Sequence, residues 1–472
     1  MIAAHIFNGQ KVGVLGLGRT GLATARALSE GGADVFLWDD QAAKREEGKN
    51  AGFQIRDFSS AGVQDFAALV VSPGVPFTHP APHAAIARAR SQNVEVIGDI
   101  EIFARLIAAA QPRPKVIGVT GTNGKSTTTA LIGHLLKEAG LKVAVGGNIG
   151  FAVLDLEPLS EVQVYVLELS SYQLDLTESL KPNVSVLLNI TPDHIDRHGD
   201  MDGYIAAKMR IFARQSVGDV AVVGIDDLHT ADICTGICGG GEVKPIPVSV
   251  GKTLSRGVFV IDGVMYDGTA SKAGRVCDLK EFPRLPGAHN WQNAAAAYAT
   301  GRALGVDAAA LSAGLKSFRG LAHRMEEVGS LNGVRFINDS KATNADAAAR
   351  ALGSYDRIYW IAGGRPKAGG IATLEPYFHR IAKAYLIGEA ADAFARTLEG
   401  KVIYEKCGVI GKAVDRAVQD AMKDGRKDVV VLLSPACASF DQFTDFEARG
   451  EAFRHAVNAH VNALPKRGAG GA

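Results

Sequence analysis

The residues best suited to chemistry are a lysine and a serine that directly follow a glycine-rich turn. Residues 118–129 have the sequence GVTGTNGKSTTT, with an apolar segment before them and a helix-like segment after them. A turn of this kind directs backbone N–H groups and the positive end of a helix dipole towards one point. Lys125 would add a positive charge there, and Ser126 a hydroxyl that can bind magnesium. The segment therefore predicts a phosphate site for ATP or GTP.

The spacing of this turn departs by one residue from the usual phosphate-loop pattern. That pattern, G-x-x-x-x-G-K-[ST], would place its first glycine at position 119, where the chain has Val119, and Gly118 comes one residue earlier. An ordinary glycine-rich turn between a strand and a helix is the alternative. We favour the nucleotide site, because Gly-Lys-Ser at a helix start after an apolar strand is rarely incidental.

Acidic and histidine side chains follow later apolar strands and are candidate metal ligands. Glu168 ends one such strand, and a loop with the sequence LSSYQ comes after it. His194 lies between Asp193 and Asp196, with His198 close behind. Carboxylates and imidazoles commonly bind divalent metals, so both segments predict a metal site near the phosphate loop. A solvated strand end and a polar surface loop are the alternatives.

Several other polar residues have an ordinary structural role as a strong alternative. A lone lysine on a helix, as Lys208 is expected to be, is usually a solvated surface charge. Arg324 and Lys341 are either phosphate clamps or exposed cations. Thr343 and Ser439 lie near expected helix starts, where a hydroxyl commonly caps the helix. Spacing alone assigns none of these residues to a site.

The N-terminal segment has the sequence pattern of a dinucleotide-binding turn. An apolar strand leads into residues 16–21 (GLGRTG), a helix follows, and a second strand ends at Asp39. This G-x-G-x-x-G pattern, with an acid about 20 residues later, is typical of Rossmann-like folds. Another strand ends in a tight turn at residues 72–75. Taken alone, the pattern would indicate an NAD-dependent oxidoreductase.

The alternation of strand-like and helix-like segments predicts an α/β protein with three domains. We expect an N-terminal Rossmann-like domain at residues 1–101, a central P-loop ATPase-like domain with a parallel sheet at 102–320, and a C-terminal Rossmann-like α/β domain at 321–472. Residues 230–283 are expected to alternate short strands and turns at the edge of the central sheet. Polar residues cluster where buried strands end, which is where parallel sheets bind ligands.

The composition argues against several classes of protein. The 472 residues carry a net charge of +1, which gives no electrostatic reason to expect binding to nucleic acid or to acidic membranes. The five cysteines are too scattered for a disulfide framework. No apolar run approaches the ~18 residues of a membrane span, and the N-terminus does not resemble a signal peptide. We therefore expect a cytoplasmic protein without membrane insertion.

A set of motifs resembles the Mur ligases of peptidoglycan synthesis, in the order of that family and over essentially the whole chain. The motifs are TGTNGKS at 120–126, LELSSYQL at 167–174, DHIDRH at 193–198, HNWQN at 289–293, HR at 323–324 and NDSKATN at 338–344. Within the family, the turn at 16–21 and the segment 434–446 resemble the members that add D-glutamate.

The resemblance implies roles for residues in all three domains. The implied contacts to a UDP-sugar substrate are Gly18, Arg19, Thr20, Gly21, Asp39, Gly74 and Asn148. The implied contacts to ATP are Gly121, Thr122, Asn123, Gly124, Lys125, Ser126, Thr127, Asn290, Asn293, Arg324 and Asp339. The implied catalytic residues are Lys125, Glu168, His194 and Lys208, and the implied metal ligands are Ser126, Glu168, His194 and Lys208. The implied contacts to D-glutamate are Lys341, Thr343, Lys367, Ser439 and Phe446.

The resemblance also implies a reaction and its cofactors. ATP with two magnesium ions would activate the carboxylate of UDP-N-acetylmuramoyl-L-alanine as an acyl phosphate, which the amine of D-glutamate would attack. Lys208 would be carbamylated and so act as a metal ligand. Arg365 departs from the family pattern, which has an aspartate at that position. We expect the protein to act as a monomer.

Three alternative functions remain open at this point. The first is a related ligase that adds another amino acid or acts on a folate. The second is an NAD-dependent oxidoreductase, which would leave the phosphate loop and the metal ligands unexplained. The third is a nucleotide-switch protein without substrate chemistry of its own. The amino acids that trigger phosphate release, and the binding of nicotinamide, distinguish these possibilities.

Overall fold

The structure, a computed structural model, describes residues 1–60, 62–270, 272–282, 284–366, 369–426 and 428–462. The chain divides into two compact units, Met1–Phe318 and Arg319–Ala472. The first unit contains two β-sheets and the second contains one. The prediction of an α/β fold built on three sheets is confirmed. The exact domain boundaries at residues 101 and 320 stay predictions.

The N-terminal sheet is parallel throughout and has the strand order β3-β2-β1-β4-β5. This is the order of an open Rossmann-like sheet, in which the loop after β1 lies where the strand order reverses and ligands bind. Its elements are β1 (Lys11–Leu15), α1 (Arg19–Glu30), β2 (Asp34–Trp38), α2 (Ala42–Asn50), β3 (Gln54–Ile55), β4 (Ala68–Val71), α3 (Ala84–Ser91) and β5 (Glu95–Ile97).

The central sheet has nine strands in the order β14-β13-β12-β11-β10-β9-β6-β8-β7. Only the pairings of β12 with β13 and of β13 with β14, at one edge of the sheet, are antiparallel. Its elements are α4 (Asp99–Ala109), β6 (Lys115–Thr120), α5 (Lys125–Glu138), β7 (Val143–Gly147), β8 (Val164–Glu168), α6 (Ser171–Asp175), β9 (Val184–Leu187), α7 (Ile195–His198), α8 (Met201–Met209), β10 (Val220–Gly224), α9 (Leu228–Gly240), β11 (Lys244–Val250), β12 (Gly257–Ile261), β13 (Val264–Gly268), β14 (Gly274–Asp278), α10 (Ala288–Ala303) and α11 (Ala308–Ser317).

The strands that lead to the phosphate loop are held in place by a continuous apolar core. Ile117 of β6 and Val186 of β9 are fully buried, and Leu131 and Leu135 of α5 belong to the same cluster. The alanine-rich helix α10 packs into this core through a run of buried alanines, residues 294–297. Small side chains let two helices and a sheet approach closely, so the start of α5 has a rigid support.

One segment differs from its sequence-based prediction. The sequence predicts short strands and turns from residue 230 onwards, but residues 230–240 belong to helix α9. The sequence LHTADICTGICGG is poor in strong helix formers, which is why its composition did not indicate a helix. Asp227 caps the helix: its Oδ1 accepts from the Thr230 N–H at 3.0 Å. The cap and packing against β10 and β11 therefore outweigh intrinsic propensity.

The second unit contains a six-stranded sheet in the order β15-β16-β20-β17-β18-β19, with only the β15–β16 pairing antiparallel. Its elements are β15 (Glu326–Leu331), β16 (Val334–Asn338), α12 (Ala345–Leu352), β17 (Arg357–Gly363), β18 (Ile381–Ile387), α13 (Ala391–Leu398), β19 (Tyr404–Gly408), α14 (Ile410–Asp424), β20 (Val429–Leu433) and α15 (Phe446–Asn462). Among the described helices of the chain, none is both long and apolar enough to cross a membrane.

Candidate active site

The phosphate loop joins the end of β6 to the start of α5. Gly121 has a φ of +149° and Gly124 a φ of +84°, a backbone conformation that favours glycine. A Cβ on Gly124 would also lie 2.3 Å from Asn293 Oδ1. The two glycines therefore shape a turn whose backbone passes close to helix α10.

Lys125 bends back over this loop. Its Nζ donates to the carbonyl oxygens of Gly121 at 2.9 Å and Thr122 at 2.8 Å. Ser126 is buried and Thr127 half-buried in the same first helical turn. An ammonium, a hydroxyl and the positive end of the α5 dipole thus converge on one loop, as a phosphate group requires.

Two residues that the sequence analysis did not single out hold the loop in shape. Asn189, just after β9, accepts from the Thr122 N–H through its carbonyl and from the Asn123 N–H through Oδ1, both at 2.8 Å. The Tyr204 hydroxyl lies 3.1 Å from Thr122 Oγ1. Asn189 comes after an apolar strand, much as Glu168 ends one, and this position could have indicated a site residue from the sequence. Nothing in the sequence around Tyr204 indicates such a role.

Glu168 is the last residue of β8 and pairs in register with Val119 of β6. Its side chain is only 2% exposed. Oε1 accepts from Asn148 Nδ2 at 2.8 Å, whereas Oε2 is buried and has no hydrogen-bond partner in the described part of the chain. A buried carboxylate oxygen without a donor is costly unless a cation binds it. This oxygen therefore fits a magnesium ligand beside the phosphate loop.

Lys208 lies on α8 and is 1% exposed. Its Nζ donates to the Gly121 carbonyl at 2.9 Å and lies 4.6 Å from the centre of the Tyr204 ring. Burial, with a smaller effect from the charge of Lys125, lowers the pKa of Lys208 to about 7. Lys208 is therefore not the solvated surface charge that a lone helical lysine usually is.

The two histidines of the DHIDRH segment have different surroundings. His194 is half-exposed, has a φ of +54°, and lies with its ring centre 4.9 Å from that of Tyr172. His198 is buried, with Nε2 3.0 Å from Ser171 Oγ, and burial lowers its pKa. Across the described residues, no three His, Cys, Asp or Glu side chains cluster as a metal site. The expected ligand set includes Ser126 and a modified lysine, which such a cluster would not contain.

The two asparagines expected near the adenine lie at the start of α10. Asn293 is buried; its Oδ1 accepts from Thr128 Oγ1 at 3.2 Å, and its Nδ2 donates to Asn290 Oδ1 at 3.3 Å. Asn290 Nδ2 donates to the Pro286 carbonyl at 2.9 Å. Asn293 therefore lies beside Gly124 of the phosphate loop, and Asn290 is tied to it through Asn293.

In the N-terminal sheet, Asp39 closes the glycine-rich turn. Its Oδ2 accepts from the Leu17 N–H at 2.7 Å, and its Oδ1 accepts from the Gln41 N–H at 2.8 Å. A Cβ on Gly21 would lie 1.9 Å from the Gly16 carbonyl oxygen, so this position requires glycine. Oδ2 of Asp39 thus supports the glycine-rich turn, and Oδ1 holds the segment that follows β2.

The remaining residues expected to bind the UDP-sugar are accessible. Gly18 and Arg19 are exposed at the start of α1, and Thr20 is half-buried there. A Cβ on Gly18 or on Gly74 would meet no atom within 4 Å. Asn148 is exposed and contacts Glu168, so it links the end of β7 to the metal-ligand candidate.

In the second unit, Asp339 follows β16 and is buried. Its Oδ2 accepts from Ser434 Oγ at 2.9 Å, and its Oδ1 accepts from the Met325 N–H at 3.3 Å. Burial raises the pKa of Asp339 to about 7, against the opposing effects of these hydrogen bonds and of the Arg324 charge. His323 and Met325, on either side of Arg324, both have positive φ. Strained backbone of this kind is typical of functional loops.

The residues expected to bind D-glutamate lie on loops of this second sheet. Lys341 Nζ is 3.9 Å from the centre of the Phe446 ring. Ser439 is buried and Thr343 is half-buried. Neither hydroxyl is the helix cap considered as the alternative, because Asn344 caps α12 and the Asp445 side chain accepts from the Ala448 N–H at the start of α15.

Two further residues named in the sequence analysis, Arg365 and Lys367, come directly after β17 in the chain. Lys367 lies outside the described residues. Arg365, at the position where the sequence analysis expected an aspartate, is half-exposed; its Nε lies 3.5 Å from Glu389 Oε2, and its N–H donates to the Ala438 carbonyl at 2.9 Å. The backbone of Arg365 thus helps to hold the loop that follows β20.

Arg449 is a buried residue of α15 that the sequence analysis missed. Its guanidinium donates to Ser340 through Oγ at 3.0 Å and the carbonyl at 2.8 Å, and to the Cys437 carbonyl at 3.0 Å. Burial lowers its pKa to about 10. Arg449 therefore ties together the loops after β16 and β20. An arginine on a helix carries no sequence signal for such a role.

The fold and this site define a class of protein: P-loop proteins built on a Rossmann-like N-terminal sheet, a mostly parallel nucleotide sheet and a second Rossmann-like unit. Three family models match successive parts of the chain, the Mur ligase MurD-like N-terminal domain at residues 10–98, the Mur ligase middle domain at 119–301 and the Mur ligase glutamate ligase domain at 323–437. The chain belongs to the Mur ligase family, and the family prediction is confirmed.

Relatives and solved structures agree with this family. The chain is 56% identical over 469 residues to the UDP-N-acetylmuramoylalanine–D-glutamate ligase of Caulobacter sp. strain K31, covering 99% of this chain and 100% of that protein. It is 51% identical to the ligase of the same name from Paramagnetospirillum magneticum, covering 97% and 98%. The fold resembles that of the UDP-N-acetylmuramate-alanine ligase of Thermotoga maritima, with a TM-score of 0.59, 18% identity and coverage of 95% and 99%.

Proposed function

We propose that this protein is an ATP-dependent ligase that joins D-glutamate to UDP-N-acetylmuramoyl-L-alanine in peptidoglycan precursor synthesis. The observation that carries this conclusion is the phosphate loop beside a buried Glu168 oxygen that has no donor among the described residues, in a chain similar over its whole length to D-glutamate ligases. The loop fits ATP, the oxygen fits the metal that accompanies ATP, and the relatives indicate the amino acid.

The reaction needs ATP because a carboxylate is a poor acceptor for an amine. Its negative charge repels the nucleophile and its oxygen is a bad leaving group. An oxygen of the alanyl carboxylate attacks the γ-phosphorus, ADP leaves, and an acyl phosphate forms. The neutral amine of D-glutamate then attacks the carbonyl carbon, loses a proton, and phosphate leaves with the bridging oxygen. The products are an amide, ADP and phosphate.

Residues of this chain would lower the charge repulsion in both reaction steps. Lys125 and the backbone N–H groups at the start of α5 would bind the phosphates, in a loop held in shape by its hydrogen bonds to Lys125 and Asn189. Ser126, Glu168, His194 and Lys208 would hold two magnesium ions, which offset charge on the phosphoryl group and the carboxylate when bound. We assign Asn290 and Asn293 to the adenine, Arg324 to the phosphates and Asp339 to the ribose.

The two substrates that are joined bind to separate loops. We assign the UDP-sugar to the N-terminal turn through Gly18, Arg19, Thr20, Gly21, Asp39 and Gly74, with Asn148 reaching towards it. We assign D-glutamate to Lys341, Thr343, Lys367, Ser439 and Phe446. Lys341 supplies a charge for a carboxylate, and its position over the Phe446 ring limits its motion. We further propose that the enzyme is a cytoplasmic monomer, which sedimentation and cell fractionation test.

We also propose that Lys208 is carbamylated in the active enzyme. The lone pair of its Nζ attacks the carbon of CO2, an N–C bond forms, and one proton leaves to solvent, so that a cation becomes a carboxylate-like metal ligand. The reaction requires a neutral amine. A pKa lowered to about 7 leaves roughly half of Lys208 neutral at pH 7, whereas an exposed lysine would be almost entirely charged.

Carbamylation makes activity depend on CO2 and on pH in a defined direction. Removing CO2 is expected to lower the rate of phosphate release, and adding it at a fixed CO2 pressure is expected to restore the rate. From a pKa of about 7, roughly 90% of the amine is neutral at pH 8 and about 10% at pH 6. Restoration should therefore be larger at pH 8. Equal restoration at both pH values, or none, would contradict the proposal.

The function itself is tested by the amino acid that triggers phosphate release. The protein is incubated with ATP, magnesium and UDP-N-acetylmuramoyl-L-alanine, and D-glutamate is compared with L-glutamate, other amino acids and no amino acid. We expect release with D-glutamate, and an amide product detected by mass spectrometry. Release with another amino acid would move the specificity within the family, and nucleotide binding without any release would support the switch-protein alternative.

A further inference from the structure

Arg197 connects the metal-ligand half of the central site to the N-terminal sheet. Its Nη1 donates to the Gly74 carbonyl at 3.2 Å, and its Nη2 to the Val75 carbonyl at 2.9 Å and the Pro73 carbonyl at 3.5 Å. Its guanidinium also lies 4.6 Å from the centre of the Tyr172 ring. One side chain thus holds three successive carbonyls of a turn more than 120 residues earlier in the chain.

The turn that Arg197 holds is packed against the glycine-rich loop. Ser72 Oγ donates to the Gly16 carbonyl at 2.6 Å, and the Val75 N–H donates to the Ser72 carbonyl at 3.0 Å. A Cβ on Gly16 would lie 2.9 Å from Val75 Cγ2. The turn and the loop are therefore packed directly against each other, and both carry residues that we assign to the UDP-sugar.

The other side of Arg197 faces the reacting end of the site. Arg197 belongs to the short helix α7, which begins directly after His194. The Tyr172 ring lies against both Arg197 and the His194 ring, and it follows Glu168 by four residues along the chain. Arg197 therefore reaches from the turn at residues 73–75 to the ring that packs against His194, a residue assigned to the metal.

The chemistry of this contact suits arginine and no other residue. The planar guanidinium carries five N–H donors in a fixed fork, so it can serve several carbonyls while its face stacks on an aromatic ring. Lysine has a single nitrogen on a flexible stem and cannot reach the same set of acceptors. Because the acceptors are backbone carbonyls, the contact fixes the path of the turn and does not depend on its side chains.

We infer that Arg197 is a positioning residue that fixes the UDP-sugar-binding turn relative to the metal-binding end of the site. It sets where the uridine diphosphate is held and thereby places the alanyl carboxylate, at the far end of the same substrate, near the phosphate loop. This inference rests on the proposed function, since it concerns the binding of that substrate. Arg197 touches neither ATP nor the reacting atoms in this role.

The inference is tested by separating the KM values of the two nucleotide substrates in Arg197→Lys and Arg197→Ala. We expect the KM for UDP-N-acetylmuramoyl-L-alanine to rise at least about tenfold in Arg197→Ala, with a smaller rise in Arg197→Lys, which keeps the charge. The KM for ATP is expected to stay within about twofold. A merely structural role would raise both KM values or lower the yield of folded protein.

Arg214→Lys and Arg214→Ala are matched controls, because Arg214 is exposed and its Nε donates to one backbone carbonyl, that of Glu178, at 3.0 Å. These variants are expected to match the wild type. An unchanged KM for the UDP-sugar in Arg197→Ala, or equal rises for both substrates, would overturn the inference.

A second measurement keeps this test separate from the test of the function. Hydrogen exchange at the Gly74 and Val75 amides is followed in the wild type and in Arg197→Ala, with and without UDP. We expect UDP to protect these amides in the wild type and the variant to lose most of that protection. If the wild type makes no amide product, the proposed function fails on its own. If UDP protects both proteins equally, the role of Arg197 fails whatever the reaction is.

Discussion

Two buried ionisable side chains, Glu168 and Lys208, are the residues on which the central site depends. Glu168 has a carboxylate oxygen without a donor among the described residues, and Lys208 has a pKa lowered to about 7 by burial. Groups of this kind reduce the stability of the free protein, since each leaves part of its charge unsolvated. They are retained where a ligand or a reaction uses them.

Replacing Glu168 by glutamine should therefore separate stability from activity. Glu168→Gln keeps the size of the side chain and the contact with Asn148 but removes the buried charge. We expect ligase activity to fall at least about 100-fold, because a ligand of the metal that accompanies ATP is lost. We expect Tm in magnesium-free buffer to be no lower than that of the wild type, because a neutral amide costs less to bury than an unpaired carboxylate.

Glu178→Gln serves as the control for this substitution, since the Glu178 side chain is 78% exposed. Both activity and Tm should remain at wild-type values in that variant. The interpretation of Glu168 would be contradicted by a Glu168→Gln enzyme with near wild-type activity, or by one whose Tm falls by several degrees in the absence of magnesium.

The sequence supported the selection of Glu168 but not the burial of Lys208. Glu168 ends an apolar strand, and the ends of parallel strands are where ligands bind, so its position could be inferred. The segment of α8 around Lys208 buries Tyr204 and Ala207 along with the lysine. A lysine normally marks the exposed face of a helix, and only the three-dimensional contact with the Gly121 carbonyl reveals the opposite.

At the scale of elements, the central site is built where three adjacent parallel strands end. β8, β6 and β9 are neighbours in the sheet, and they are followed respectively by the Glu168 segment, the phosphate loop and Asn189. The loop keeps its shape through Gly124 and its hydrogen bonds to Asn189. The elements thus position the chemistry through loop geometry, which a single added methyl group can disturb.

Gly124→Ala tests this geometry, with Gly140→Ala as a matched control. Both glycines flank α5 and have a φ of +84°, but a Cβ on Gly124 would lie 2.3 Å from Asn293 Oδ1, whereas one on Gly140 would meet no atom within 4 Å. We expect Gly140→Ala to lower the free energy of unfolding by about 1 kcal/mol, the cost of the backbone conformation alone. Gly124→Ala should cost at least about 2 kcal/mol and also weaken ATP binding.

Chemical denaturation and ATP titration measure these two effects. If both variants lose the same stability, the contact between Gly124 and Asn293 contributes nothing, and the close packing of the loop against α10 is not important. A Gly140→Ala protein with weakened ATP binding would likewise contradict the account, because that glycine lies at the far end of the helix.

Much at this scale follows from the sequence, and the exceptions have physical causes. The strand, turn and helix around the phosphate loop could be predicted because apolar periodicity and glycines coincide there. Helix α9 could not, because its cap at Asp227 and its packing outweigh a composition rich in Thr, Cys and Gly. Strand order was also beyond the sequence: β20 is the last strand of the chain, yet it lies between β16 and β17.

At the scale of the whole molecule, the chain reuses a dinucleotide-binding pattern without the chemistry that the pattern usually indicates. The turn at residues 16–21 and Asp39 would by themselves suggest an oxidoreductase, but Asp39 closes the turn through the Leu17 N–H. The central phosphate loop and the family models identify a ligase instead. A fold indicates where ligands bind, whereas the residues of the site determine the reaction.

The most direct test of the account is to follow oxygen atoms from the substrate into the products. UDP-N-acetylmuramoyl-L-alanine labelled with ¹⁸O at both carboxylate oxygens is incubated with ATP, magnesium and D-glutamate, and the amide and phosphate are analysed by mass spectrometry. If the carboxylate is activated as an acyl phosphate, one ¹⁸O appears in the released phosphate and the other remains in the amide. Amide formation with unlabelled phosphate, or phosphate release without a D-glutamate amide, would contradict the account.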